Sequence, residues 1–152
     1  MNNPAVRNTG ILLARLGLGV IFLAHGLQKV TSWGYSGTKA GFEGMGAPVP
    51  AVSAFLATWI EVLGGSALIV GVLTPIVGGL LFLNMVGALF ITHIGNGLWV
   101  SDGGYELVLA LAAGALLLAV VGAGKFSVDA LLGGKLPAWM TAAPEPALTP
   151  AR

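Results

Sequence analysis

AVSAFLATWIEVLGGSALIVGVLTPIVGGLLFLNMVGALFITHI, residues 51–94, carries a single formal charge, Glu61. From Val62 to Ser101 there is no Asp, Glu, Lys or Arg at all. The clearest break is Thr74-Pro75: a residue before proline avoids the helical region, and proline itself often opens a helix. The stretch therefore reads as two apolar helices, about 51–72 and 75–94, with a minimal turn between them. In hydrocarbon every backbone polar group must be satisfied within its own segment, so such a pair is an antiparallel hairpin in lipid.

On the N-terminal side lies RLGLGVIFLAHGLQK, residues 15–29, an apolar run closed by a cation at each end. With its flanks it predicts a first helix over about 9–30, roughly 33 Å long at ~1.5 Å per residue and enough to cross a bilayer core. Arg7 ahead of it resembles the basic region of a signal peptide, but no small-x-small cleavage site follows, and the segment is read as a retained span. Residues 31–50, TSWGYSGTKAGFEGMGAPVP, are broken by five glycines and closed by Pro48 and Pro50, and predict a loop with one short turn around 38–45. Trp33 and Tyr35 suit a membrane–water boundary.

On the C-terminal side GNGLWVSDGG, residues 95–104, is an irregular connection, and about 105–121 is a fourth apolar helix ending at Gly122 and Gly124. KFSVDALLGGK, residues 125–135, admits a short interfacial helix, and the Pro- and Ala-rich stretch 136–152 predicts a disordered cytoplasmic tail. The expected fold is all-α: a four-transmembrane-helix bundle, up-down antiparallel, forming one membrane domain over 1–135.

Composition agrees. Of 152 residues 56% are hydrophobic and 9% charged, against roughly 25% charged in soluble domains. A net charge of +1 offers no basic surface for nucleic acid. The absence of Cys excludes disulfides, thiol redox chemistry and thiolate-held metals from this chain. Arg7, Lys125, Lys135 and Arg152 flank one side, against Lys39 and the edge residue Lys29 on the other. The positive-inside rule then predicts a multi-pass protein of the cell (inner) membrane with both termini cytoplasmic.

Four alternating spans fix the depth of the polar residues. His25, Gln28 and Lys29 end the first span; His93, followed by Asn96 and Trp99, ends the third; Tyr105 and Glu106 open the fourth. All seven candidates, His25, Gln28, Lys29, His93, Trp99, Tyr105 and Glu106, thus reach the extracytoplasmic level, where they predict a polar pocket for a small molecule. Each also has a plainer role: Lys29 as a snorkelling cation, Trp99 and Tyr105 as belt aromatics, His93 bonded to a loop carbonyl, Glu106 at a helix start. Two imidazoles and Glu106 also make a metal set conceivable, but no spacing demands one and none is assigned. Deeper, Arg15 and Glu61 predict a buried ion pair holding the first two helices in register, or else a proton-transfer pair.

RLGLGVIFLAHGLQK, the W-G…G-F…G-x-P-x-P loop, WIEVLGGSALIVGVLTP at 59–75, H-x-x-N-G-x-W at 93–99, GGYELVLALA at 103–112 and the SVDALL stretch together resemble the DoxX family of small four-helix membrane proteins. The resemblance runs from about Arg15 to Leu132. The family-like positions are Arg15, His25, Gly26, Lys29, Glu61, Gly64, Gly65, His93, Gly104, Tyr105 and Glu106. The family takes its name from a subunit of a membrane thiosulfate:quinone oxidoreductase, and other members are linked to oxidative stress and sulfur metabolism. The resemblance thus implies an integral membrane subunit of a quinone-linked oxidoreductase system. No cofactor is expected in this chain; quinone is expected as substrate. Expected partners are the lipid bilayer and a soluble or membrane oxidoreductase, with a second copy of the chain as a further candidate. Whether the chain is itself an enzyme stays open. Two alternatives stand beside this reading: a non-catalytic scaffold anchoring a partner enzyme, and a small transporter gated by Arg15 and Glu61.

Overall fold

The structure, a computed structural model, describes residues 3–132 and contains no strand among them. Helix α1 spans Pro4–Gln28 and starts ahead of the expected Thr9. Asn3 accepts the Ala5 amide through its side chain at 3.0 Å and Pro4 occupies the first turn, a capping chemistry that opens a helix without apolar residues. A π-helical turn, Lys29–Trp33, continues α1. Gly34, at φ 66°, then redirects the chain into α2, Gly34–Gly44. The expected loop over 31–50 is therefore largely helical. Buried Thr38 stabilises the corner, its hydroxyl donating to Gly34 O at 2.9 Å and Lys29 O at 3.2 Å.

Helix α3, Pro50–Val70, ends at Gly71 in the left-handed conformation. Helix α4, Thr74–Ala88, passes into a second π-helical turn, Leu89–His93. Two short 3₁₀ turns, Ile94–Asn96 and Val100–Asp102, lead to α5, Glu106–Val121, and α6 covers Val128–Leu132. The segments Pro4–Gly44, Pro50–Val70 and Thr74–Asn96 are long and apolar enough to cross a membrane. Helix α5 is equally apolar but has 16 residues, about 24 Å at ~1.5 Å per residue. The disordered tail expected over 136–152 lies outside the described residues.

Packing follows the small residues. A Cβ on Gly65 would stand 2.7 Å from Gly19 O, and one on Gly26 would stand 2.7 Å from Val62 N, so α1 and α3 touch backbone to backbone. Gly78 does the same for α4 on α5, 2.8 Å from Ala115 O. Small residues permit such approach, which supplies packing and not hydrophobic drive where the surroundings are lipid. Overpacking costs ~1–3 kcal/mol, and backbone yields less than a side chain. Gly65→Ala is therefore expected to lose about 2–3 kcal/mol, seen as a lower unfolding midpoint in detergent; an unchanged midpoint would mean that α1 and α3 lie further apart. Phe22, Leu68, Leu81 and Leu118 fill the interior, while Leu13, Leu63, Leu83, Phe90 and Leu117 point outward and are exposed. An apolar exterior around a tightly packed interior suits a lipid surround.

One end of the molecule is closed by charge. Arg15, 1% exposed, donates from Nε to Leu68 O at 2.9 Å, from Nη2 to Ile69 O at 3.2 Å and from Nη1 to Ala123 O at 2.5 Å. These are carbonyls at the ends of α3 and just beyond α5, where a helix leaves acceptors without partners and favours a cation. Asp129 of α6 answers at the opposite pole: its carboxylate accepts the Leu73 and Thr74 amides at 2.7 and 2.9 Å, at the N-terminus of α4. Asp129 also donates its own amide to Gly71 O at 2.9 Å. The segment after α5 is thus docked under the helices.

Candidate functional site

At the other end the helices part around a cavity of about 310 Å³, within the lower range of small-ligand pockets. Its walls are mostly apolar, with Phe22, Phe42, Met85, Val108 and Leu111 prominent. Polar side chains converge on it: His25 and Lys29 from α1 and its π turn, Glu61 from α3, Asn84 from α4, and Thr92 and His93 from the second π turn.

Glu61 is the hub. Its Oε2 pairs with Lys29 Nζ, and its Oε1 accepts from Asn84 Nδ2 at 3.2 Å. The two charged side chains are 12% and 6% exposed, so the pair joins α1, α3 and α4 in a setting poor in water. A desolvated charge is tolerated when it is both paired and hydrogen-bonded. His93 Nδ1 lies 2.6 Å from Gly103 O. A carbonyl can only accept, so Nδ1 carries the hydrogen, and Nε2 is left as the ring's remaining polar atom. The structure gives the His25 ring no hydrogen-bond partner among the described residues, although the residue lines the cavity.

Both π-helical turns border this space. Lys29 and Trp33 come from one, and Ile91, Thr92 and His93 from the other. A π turn inserts an extra residue and so rotates the side chains beyond it about the helix axis; such turns recur at functional sites. Across the mouth, Thr92 Oγ1 donates to Met45 Sδ at 3.4 Å, linking the exit of α2 to the second π turn.

Of the seven residues singled out from sequence, His25, Lys29 and His93 line the cavity and four do not. Gln28 is exposed on the outer face of α1. Trp99 is 61% exposed on its connection. Tyr105 packs beside the apolar core. Glu106 is committed to the loop before it, accepting the Val100 amide at 2.8 Å. No three His, Asp or Glu side chains among the described residues stand together as a metal set. The expected Arg15–Glu61 pair does not form either. Contacts between Gly26 and Val62, and between Gly19 and Gly65, set Arg15 beside Leu68 and Ile69, well below Glu61. The gate required by the transporter alternative goes with it. Glu61, Asn84 and Thr92 are polar cavity residues that sequence reasoning places elsewhere or passes over. Asn84 has a signal, as an amide within a charge-free apolar run.

The family model described as DoxX matches residues 10–94. Among curated proteins, the inner membrane protein YqjF of Escherichia coli is 33% identical over 132 residues, 86% of this chain and 97% of its own length. The inner membrane protein YphA of the same organism is 28% identical over 130 residues, 82% of this chain and 91% of its own. A Bacillus subtilis protein named "Putative oxidoreductase CatD" is 39% identical over 80 residues, 53% of this chain and 57% of its own. No solved structure matches.

Proposed function

This chain belongs to the DoxX family of membrane proteins, and from that premise we propose that it is the membrane subunit of a quinone-linked oxidoreductase system. In this reading four helices cross the inner membrane with both termini in the cytoplasm, and the cavity opens at the extracytoplasmic side. It receives a quinone headgroup or a small substrate of similar polarity.

The observation that carries the reading is the cavity itself: apolar walls, with His25, Lys29, Glu61, Asn84 and His93 convergent upon it. A quinone ring needs apolar faces and donors for its two carbonyl oxygens. His25 and His93 serve as those donors, His93 with hydrogen on both ring nitrogens, so that Nδ1–H stays on Gly103 O while Nε2–H reaches the quinone oxygen. Reduction to quinol takes two electrons and two protons; the electrons come from a partner oxidoreductase, and protons reach the ring oxygens at the imidazoles. Glu61, which lines the cavity between Lys29 and Asn84, is the carboxylate that exchanges protons; Glu106 does not line it. The oxidoreductase in the name of the Bacillus relative supports the class of chemistry, on about half of this chain.

The test is direct. In nanodiscs the protein is expected to bind a benzoquinone, and His93→Ala and His25→Ala are each expected to weaken it about tenfold, the ~1.4 kcal/mol of one lost hydrogen bond. Thiosulfate- or sulfide-linked quinone reduction in the host should fall in parallel. Wild-type protein that binds no quinone, together with unchanged reduction in the variants, removes the proposal.

A further inference from the structure

The seam between α1 and α5 is closed low and open high. On α1, Leu18 fills the space over Gly114 of α5: a Cβ there would stand 2.8 Å from Leu18 Cδ1. The two helices run antiparallel, since Asn8 near the start of α1 accepts the Lys125 amide just past the end of α5 at 2.8 Å. Seven residues along a helix return to within ~20° of the same face, ~10.5 Å away. His25 therefore lies on the face of α1 that Leu18 presents to α5, and Leu107 on the face of α5 that Gly114 presents to α1. Moving seven residues forward on one helix and seven back on the other reaches the same level.

Both His25 and Leu107 line the cavity and are exposed; the other exposed wall residues, Trp33, Met45, Ile91 and Val100, lie on the two π turns, at the exit of α2 and in the connection before α5. Beside Leu107, Val108 and Leu111 are buried. Exposed wall side chains mark openings, and His25 and Leu107 belong to the membrane-crossing helices α1 and α5 themselves. Bonds or close packing tie three other pairs at this end: α1 on α3 at Gly26, α3 on α4 through Glu61 and Asn84, and the second π turn on the connection before α5 through His93 and Gly103.

We infer that the cavity is entered laterally from the bilayer, between His25 and Leu107, by an amphiphile whose polar head enters while its long apolar tail stays in lipid. At about 310 Å³ the space accommodates a ring-sized head and no long tail, so the tail must leave through a gap, and the α1–α5 gap pairs an imidazole that can meet the head with the apolar side chain of Leu107. The inference rests on the reading of the cavity as a quinone site, and it narrows the ligand to a tailed, membrane-borne quinone.

Ala110 allows the test. It lies four residues before Gly114 and three after Leu107, on the same side of α5, is exposed, and does not line the cavity. Ala110→Trp should obstruct the seam. Leu109→Trp adds bulk on the opposite side of α5 and serves as control. Binding of a decyl-tailed benzoquinone and of the same ring without its tail is measured in nanodiscs. Ala110→Trp is expected to weaken the tailed ligand at least tenfold and the tailless ring less than twofold, with Leu109→Trp matching wild type for both. If Ala110→Trp fails to fold, Ala110→Leu is used, with a weakening of at least threefold expected for the tailed ligand alone. Equal losses for both ligands, or no loss for either, overturn lateral entry and leave the quinone site standing. If wild type binds neither ring, the quinone site itself falls and lateral entry falls with it.

Discussion

Arg15→Met is expected to lower the stability of the detergent-solubilised protein by about 3–5 kcal/mol and to reduce its steady-state level severely. The guanidinium holds three carbonyls from two separate parts of the chain, Leu68, Ile69 and Ala123, and is 1% exposed. Methionine has similar length and no donor, so all three acceptors lose a charged partner. Each buried polar group left unsatisfied costs ~1–3 kcal/mol. The three costs do not simply add, because Leu68 and Ile69 are adjacent and the chain can relax around them. Arg15→Lys should recover less than half of the loss, since an ammonium cannot present a planar fork to carbonyls on two sides. Unfolding midpoints for the two variants decide the matter; a wild-type midpoint for Arg15→Met would refute the clamp.

The second large effect is at the cavity. Glu61→Leu leaves the Lys29 ammonium, 12% exposed, with no counter-charge, and deprives the Asn84 amide of its acceptor. Breaking one side of a buried ion pair costs ~3–5 kcal/mol, whereas replacing both partners by apolar residues of similar volume is often neutral. Lys29→Met/Glu61→Leu is thus expected to recover the ion-pair part of the loss and to fold about 1–2 kcal/mol below wild type, the remainder being the Asn84 amide without its acceptor, while Glu61→Leu alone is destabilised further. This pair of variants separates stability from function. If the cavity works as proposed, the double variant is well folded yet loses quinone binding by at least tenfold. A double variant that regains both fold and full binding would make the ion pair a helix-packing device only.

The contrast between these two ends explains what the sequence can show. Apolar runs and Thr74-Pro75 announce the helices plainly, because lipid demands long uncharged segments. His25, Lys29 and His93 reach one cavity because span direction alone fixes their level. Arg15 is misread from sequence because its partners are backbone carbonyls, and no residue type advertises a free carbonyl. Only the contact register of α1 on α3, set by Gly19, Gly26 and Gly65, shows that Arg15 meets the last turn of α3 while Lys29 meets Glu61. Glu106 and Trp99 escape the same reading for a different reason. They sit on or beside a connection whose path is set by local amide bonds, such as Val100 N to Glu106, and helical periodicity says nothing about such a path. Asp129 reads as an ordinary acidic residue of a short helix; its role at the start of α4 depends on a turn 56 residues away.

The Arg15–Ala123 bond joins positions 108 residues apart, and that separation has a consequence for how the protein is made. A ribosome adding ~5–20 residues per second delivers Ala123 roughly 5–20 s after Arg15. Leu68 and Ile69 follow Arg15 by 53 and 54 residues, so for the second half of that interval the cation has two of its three acceptors and lacks the third. Its final seating is then a late event of biogenesis, completed only when Ala123 has left the exit tunnel.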